Sequence, residues 1–240
     1  MNTIIVFICI ILIASILQTS TGFGFSIMAT PFLLLLFLPQ EAIQINLILS
    51  LLISLSLIYK IRKEIDYLLL KRFIIGSIAG VPIGSIVFIS VNVDHLKLIV
   101  SVIILLLTLF MMVNLKIKTT PFRDYFVGGL SGVLTTSIGM PGPPLLLYFT
   151  GTDTGKEKVR ATTLAFYLFI YLISLVSQVV TVGTNMIVWK SSLYAIPLVI
   201  LGLILGQFLF KWLNQRVFRI FTYVLLIFTG VYLLIDSLGL

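Results

Sequence analysis

Apolar residues run along this chain in stretches too long for the core of a soluble domain, and polar positions are confined to the gaps between them. Reading those runs gives eight segments, roughly 2 to 38, 42 to 59, 67 to 91, 96 to 114, 124 to 150, 160 to 182, 188 to 210 and 217 to 238. Stretches of about 20 apolar residues separated by short basic loops are the hydropathy pattern of transmembrane helices. The pattern predicts an all-α polytopic membrane protein with one membrane domain over 1–240. The opening MNTIIVFICI has no positive leading region and no small-residue cleavage site. The first segment is therefore expected to remain in the mature protein, and no soluble appendage is expected.

Two segments do not read as continuous helices. The first has about 37 residues, and at 1.5 Å per residue it would far exceed a ~30 Å hydrocarbon core. Its middle is Gln18-Thr19-Ser20-Thr21-Gly22-Phe23-Gly24-Phe25-Ser26, followed by Thr30-Pro31. The fifth carries Thr135-Thr136-Ser137-Ile138-Gly139-Met140-Pro141-Gly142-Pro143-Pro144. Three prolines and two glycines within six residues cannot stay helical, because proline lacks the donor and clashes with the preceding turn. Non-helical backbone at membrane depth is tolerated only inside protein or beside a watery cavity. Both breaks are therefore expected at the protein's centre.

The chain also matches itself. Met28-Ala29-Thr30-Pro31-Phe32-Leu33-Leu34-Leu35-Leu36-Phe37 aligns with Met140-Pro141-Gly142-Pro143-Pro144-Leu145-Leu146-Leu147-Tyr148-Phe149. Leu52-Ile53-Ser54-Leu55 aligns with Leu172-Ile173-Ser174-Leu175, and Gly80 and Gly84 before Phe88 align with Gly202 and Gly206 before Phe210. The order is kept, so the chain reads as two copies of one unit, 1–115 and 120–240.

Composition agrees with this picture and charge decides its topology. Apolar residues make up 60% of the chain and charged residues 10%, against about 45–50% and about 25% in soluble domains. The net charge of +8 does not point to nucleic acid, because the basic residues sit in loops beside apolar segments, where they set orientation. If all eight segments cross, the 16 Lys and Arg divide 9 against 7 and orientation is left almost unbiased. If segments 1 and 5 are re-entrant, Lys60, Arg62, Lys63, Lys71, Arg72, Lys116, Lys118, Arg123, Lys156, Lys158, Arg160, Lys211, Arg216 and Arg219 share the cytoplasmic side. Only Lys97 and Lys190 face out, a division of 14 to 2. Each copy then has a broken, re-entrant helical hairpin and three transmembrane helices. An odd number of crossings makes the copies inverted, with both termini outside, as in many secondary transporters.

An interrupted helix leaves backbone N–H groups at the start of its second half, where the dipole favours negative charge. The candidate substrate-binding residues are therefore Thr19, Ser20, Thr21, Gly22, Gly24 and Ser26 in one hairpin and Thr135, Thr136, Ser137, Gly139 and Gly142 in the other. Proline favours a first helical turn, which suits Pro31 and Pro143 or Pro144. The alternative is that the breaks are kinks whose hydroxyls bond the carbonyl four residues back. Gln44, Asn46, Thr162, Thr163 and Tyr167 open the following helices, where they line a pathway or act as interhelical glue; Gln44, Asn46 and Thr163 join the candidate site. Gly76, Gly80, Gly84, Gly202 and Gly206 read as close-packing faces. Arg160 stands where it would attract anions at the cytoplasmic mouth, although its place among the orienting cations already explains it.

Other chemistries find little support. All eight acids, Glu41, Glu64, Asp66, Asp94, Asp124, Asp153, Glu157 and Asp236, fall in loops or at segment ends, which argues against a buried carboxylate relay and against an organic-cation substrate. The lone Cys9 and lone His95 supply neither a disulfide, a metal cluster nor a Ser–His dyad. No Gly-Lys-Thr or Gly-Lys-Ser loop is present to use ATP. No cofactor is expected, and a homo-oligomer is compatible with these features without being required by them.

The motifs resemble the TauE/SafE family of sulfite and organosulfonate exporters. The resemblance runs through Gly22-Phe23-Gly24 to Pro31-Phe32-Leu33, its echo from Gly139 to Leu145, the alanines Ala42 and Ala161, and Gly80-Val81-Pro82-Ile83-Gly84. Phe25 stands where a third glycine is common, and the second motif carries three prolines, which leaves the substrate open among small anions of sulfur or carbon. The expected function is a secondary transporter or facilitator moving such an anion across the plasma membrane by alternating access. The alternatives are a membrane subunit without flux of its own and an intramembrane enzyme.

Overall fold

The computed structural model describes residues 2–90, 120–152, 154–212 and 215–237, with the short stretches 98–99, 101–102, 105–106 and 108–109. These hold α1 Asn2–Thr21, α2 Phe25–Leu33, α3 Pro39–Ile61, α4 Tyr67–Ser90, α5 Pro121–Ile138, α6 Gly142–Thr150, α7 Lys156–Val182, α8 Met186–Trp212 and α9 Gln215–Ser237. The fold is all-helical, without a strand among the described residues. Among the described residues, five helices are long and apolar enough to cross a membrane: α1, α3, α4, α7 and α8. The predicted segment at 96–114 falls mostly outside the described residues, as do Asp94, His95, Lys97, Lys116, Lys118 and Asp153. Helix α7 begins four residues before the predicted segment, so Lys156, Lys158 and Arg160 are helical.

The predicted interruptions are present, at 22–24 and 139–141. Four element boundaries around the breaks recur in the second half at a spacing of 117 residues (21 to 138, 25 to 142, 33 to 150, 39 to 156). The match of Met28–Phe37 to Met140–Phe149 has a spacing of 112 and so lies five residues out of that register. A run of identical leucines slides along its partner without penalty, which is why the match misplaces the prolines. Pro143 and Pro144 do stand in the first turn of α6, but Pro31 lies deep inside α2, seventh of nine residues.

The closest packing is between α4 and α5 and between α1 and α8. A Cβ at Gly76 would stand 2.0 Å from the Tyr125 carbonyl oxygen, and one at Gly80 2.1 Å from that of Gly129, so these backbones touch. Glycine at such positions lets helices approach closely where no hydrophobic force drives them together. Helices α3 and α7 meet at the centre, α7 also packs on α4, and α3 on α8. Outward surfaces are apolar, with Ile204 and Phe208 of α8 more than 60% exposed. Such a surface belongs in lipid.

The ionic groups gather at one end. Lys158 of α7 pairs with Asp66 after α3 at 2.9 Å, and Arg72 of α4 pairs with Asp124 of α5 at 2.8 Å. The Lys60 amine donates to the Gln207 side chain of α8, whose neighbour Phe210 carries the Arg160 guanidinium over its ring at 4.2 Å. Lys190, in the first turns of the 27-residue α8, lies far along that helix from Lys211. At 1.5 Å per residue their separation is about 30 Å.

Candidate functional site

Helix α1 stops because Gly22 adopts φ 83, a left-handed conformation that costs other residues about 1–2 kcal/mol. The chain turns through Phe23, and Gly24 (φ 106) opens α2. The Thr21 hydroxyl fastens the turn, donating to the Leu17 carbonyl at 2.6 Å and accepting from the Phe23 N–H at 3.0 Å. After α2 the chain comes back to where it began, with the Phe37 ring against Phe7 at 5.7 Å.

The second hairpin is built alike. Gly139 (φ 74) ends α5, its N–H donating to the Thr135 carbonyl at 2.7 Å. Helix α6 then runs back until the Tyr148 hydroxyl donates to Asp124, in the first turn of α5, at 2.6 Å. Two amides brace this break: Asn46 of α3 donates to the Gly139 carbonyl and Gln178 of α7 to the Thr136 carbonyl, each at 2.8 Å. Gln18 of α1 braces the other hairpin on α3, donating to the Ser50 carbonyl at 3.0 Å.

The first turns of α2 and α6 meet. A Cβ on Gly142, the first residue of α6, would stand 3.0 Å from the Ile27 side chain, in the first turn of α2, and 3.1 Å from the Tyr167 hydroxyl. Tyr167 is fully buried, stands edge-on to Phe23 at 6.3 Å, and has no hydrogen-bond partner for its hydroxyl. Thr163, Tyr167 and Tyr171 recur every fourth residue and so share one face of α7. The Thr163 hydroxyl is likewise buried and unpartnered, while the Tyr171 hydroxyl lies 3.4 Å from Ser26 Oγ.

The predicted residues divide by what their polar atoms already do. Thr21, Thr135 and Ser137 donate to carbonyls four residues back, and Ser20 to one three back. The Thr136 hydroxyl is bonded to Ser174 at 2.7 Å. These five are buried hydroxyls serving their own helices or a neighbour. Thr19 keeps an unpartnered hydroxyl, and Asn46 an unpartnered carbonyl oxygen. Gln44 does not join the hairpins: it donates to the Gly183 carbonyl at 2.8 Å and lines a cavity of about 580 Å³ with Glu41, Phe88 and Asn185. Pro143 and Pro144 also remove two donors from the first turn of α6, leaving Gly142 the one N–H among its first three positions. Helix α2 keeps an N–H at each of Phe25, Ser26 and Ile27.

The profile of the family described as Sulfite exporter TauE/SafE matches residues 7–233. The chain belongs to the TauE/SafE family. No curated protein and no solved structure matches it. Membership makes this TauE/SafE protein a multi-pass membrane transporter and not an enzyme. Among the described residues no group of three His, Cys, Asp or Glu is placed to hold a metal.

Sequence reasoning undervalued three features of this TauE/SafE chain. Glu41 and Asp124 stand at helix ends, yet both are buried, Glu41 accepting from Asn185 at 2.6 Å. Arg160 is buried too, its Nε donating to the Thr19 carbonyl at 2.8 Å beside the first break. The only sequence signal was its position, one residue before Ala161, where α7 must pass the end of α1.

Proposed function

We propose that this protein is a secondary transporter or facilitator that moves a small sulfur or organic oxyanion, sulfite or a sulfonate, across the plasma membrane by alternating access. The observation that carries the reading is the meeting of α2 and α6 first turns, Ile27 against Gly142, in a buried core with unpartnered hydroxyls on Tyr167, Thr163 and Thr19. Two helix starts aimed at one point favour an anion by about 0.3–2 kcal/mol each. That is enough for moderate affinity and weak enough for release. Six of the predicted positions, Thr19, Gly22, Gly24, Asn46, Gly142 and Thr163, form this site in the proposal, with Tyr167 added.

The hairpins are re-entrant in this reading, and the two halves are inverted copies. The ion pair of Lys158 with Asp66 supports it, since an eight-crossing plan puts those two residues on opposite sides of the membrane. The contact pattern supports it as well: exchanging the halves converts the α1–α8 contact into α5–α4, and α3–α8 into α7–α4. The basic end then faces the cytoplasm and both termini face out. The test is sulfite or sulfonate flux in proteoliposomes for wild type, Gly24→Leu and Gly142→Leu, with monodispersity as the control for folding. Both variants should lose flux. If both are folded and move the anion at the wild-type rate, the breaks are not the substrate site.

A further inference from the structure

Arg160 is a cation taken out of water with no ion pair among the described residues. It is 7% exposed, and the ion pairs of the described residues, Arg72–Asp124, Lys156–Glu157 and Lys158–Asp66, do not include it. Its Nε is used on the Thr19 carbonyl and its face on the Phe210 ring, while Nη2 is buried with no partner. Burying a charge is costly unless its donors are matched, and a buried guanidinium left with an unmet donor marks a place for an acceptor. That space exists: Arg160 lines a cavity of about 280 Å³ with Lys60, Gln207, Phe210 and Lys211, and with the carboxylates Glu64 and Glu157. A single water needs roughly 10–15 Å³ by the same kind of measure, so a small hydrated ion enters. Three cations against two carboxylates leave the lining positive, and the planar guanidinium fork suits oxygens that share one central atom.

We propose that this cavity is an oxyanion-binding site in which the Arg160 guanidinium donates to one oxygen of the ion. The site deepens the transport reading and rests on it for its purpose: it is the cytoplasmic station from which the anion passes to the hairpins. Arg160 is placed for that handover. A Cβ on Gly22 would stand 2.9 Å from the Arg160 Cα, so the residue that grips the ion is packed on the break itself. Glu64 and Glu157 keep the cavity from holding the ion too tightly.

The test uses sulfite and methanesulfonate as probes on the purified full-length protein. The half-saturating concentration is read from the rise in thermal midpoint, and flux in proteoliposomes is measured alongside. Arg160→Gln should raise the half-saturating concentration about tenfold or more, the loss expected for one hydrogen bond to a charged partner. Lys60→Gln should raise it less than about threefold, since its charge is exposed and screened. Should Arg160→Gln fail to fold, Arg160→Lys keeps the charge and one donor for Thr19 but loses the second fork nitrogen, and a rise of about three- to tenfold is expected. A folded Arg160 variant that saturates at the wild-type concentration overturns the proposal, as does wild-type protein that shows no saturable shift with either probe. The two readings fail separately. Flux blocked by Gly142→Leu but indifferent to Arg160 leaves the transporter without this site, while Arg160-dependent binding with no flux leaves the site without the transporter.

Discussion

Gly206 of α8 and Thr19 of α1 stand at a separation that only glycine allows, since a Cβ on Gly206 would come within 2.6 Å of the threonine Cβ. The other half has the same contact: a Cβ on Gly84 of α4 would lie 2.9 Å from the Cβ of Thr136 in α5. Thr19 and Thr136 are themselves 117 residues apart, the spacing at which the helix ends around the breaks recur. Each hairpin is therefore clamped by a glycine from the opposite half. Gly84→Ala and Gly206→Ala should each destabilise the protein by about 1–3 kcal/mol, the usual cost of overpacking. Gly155→Ala, with only the Glu157 carboxylate 3.8 Å away but at the N-cap of α7, should cost less than about 1 kcal/mol. Thermal midpoints of the purified variants decide it.

The shared ionic end gives a topology that can be labelled. In a Cys9→Ser background, single cysteines replacing Lys63 and Lys156 should resist an impermeant thiol reagent applied to intact cells, and one replacing Lys190 should react. Reaction at 156 with protection at 190 would restore eight crossings.

The hydrophobic pattern located the helices, because burial in lipid demands length and apolarity, which are written residue by residue. It located the interruptions too, since Gly22 with Gly24, and Gly139 with Pro141 and its neighbours, cluster helix-weakening residues that stand singly in helices elsewhere, as Pro31 does in α2. Register was another matter: leucine runs carry no positional information, and Pro31 was consequently read into a turn it does not occupy. Hydroxyl roles were also out of reach, because Ser137 bonding Val133 within its own helix and Ser137 lining a path look identical in sequence. The burial of Arg160 depends on a contact across 141 residues, which no local pattern encodes.

Asp124 ties three helices through Arg72 and Tyr148, and it is almost fully buried while Arg72 is 26% exposed. Replacing Asp124 with Ala strands a partly solvated guanidinium rather than a dry one. The cost should therefore fall below the 3–5 kcal/mol of a broken buried pair, at about 1–3 kcal/mol. Tyr148→Phe removes one hydrogen bond to the carboxylate and should cost about 1 kcal/mol. Thermal unfolding of the two variants should rank them in that order, and equal midpoints would show that the Arg72 pair contributes nothing beyond the tyrosine's bond.

The central site separates a hydroxyl that is available from one that is already used. Ser137 donates within α5 at 2.7 Å, so Ser137→Ala should leave anion affinity within about twofold of wild type. Tyr167 is buried beside Gly142 with nothing to donate to, so its hydroxyl is the one a bound oxyanion would take up. Tyr167→Phe keeps the ring that packs on Phe23 and Tyr171 and removes only that oxygen. The protein should fold with unchanged stability or better, because an unsatisfied buried group is lost. Affinity for sulfite should meanwhile fall by about 0.5–1.5 kcal/mol, or roughly two- to twelvefold. Concentration dependence of flux in proteoliposomes, with the thermal midpoint alongside, reads both quantities. A Phe variant that saturates like wild type while Ser137→Ala does not would move the substrate from the face of α7 to the end of α5.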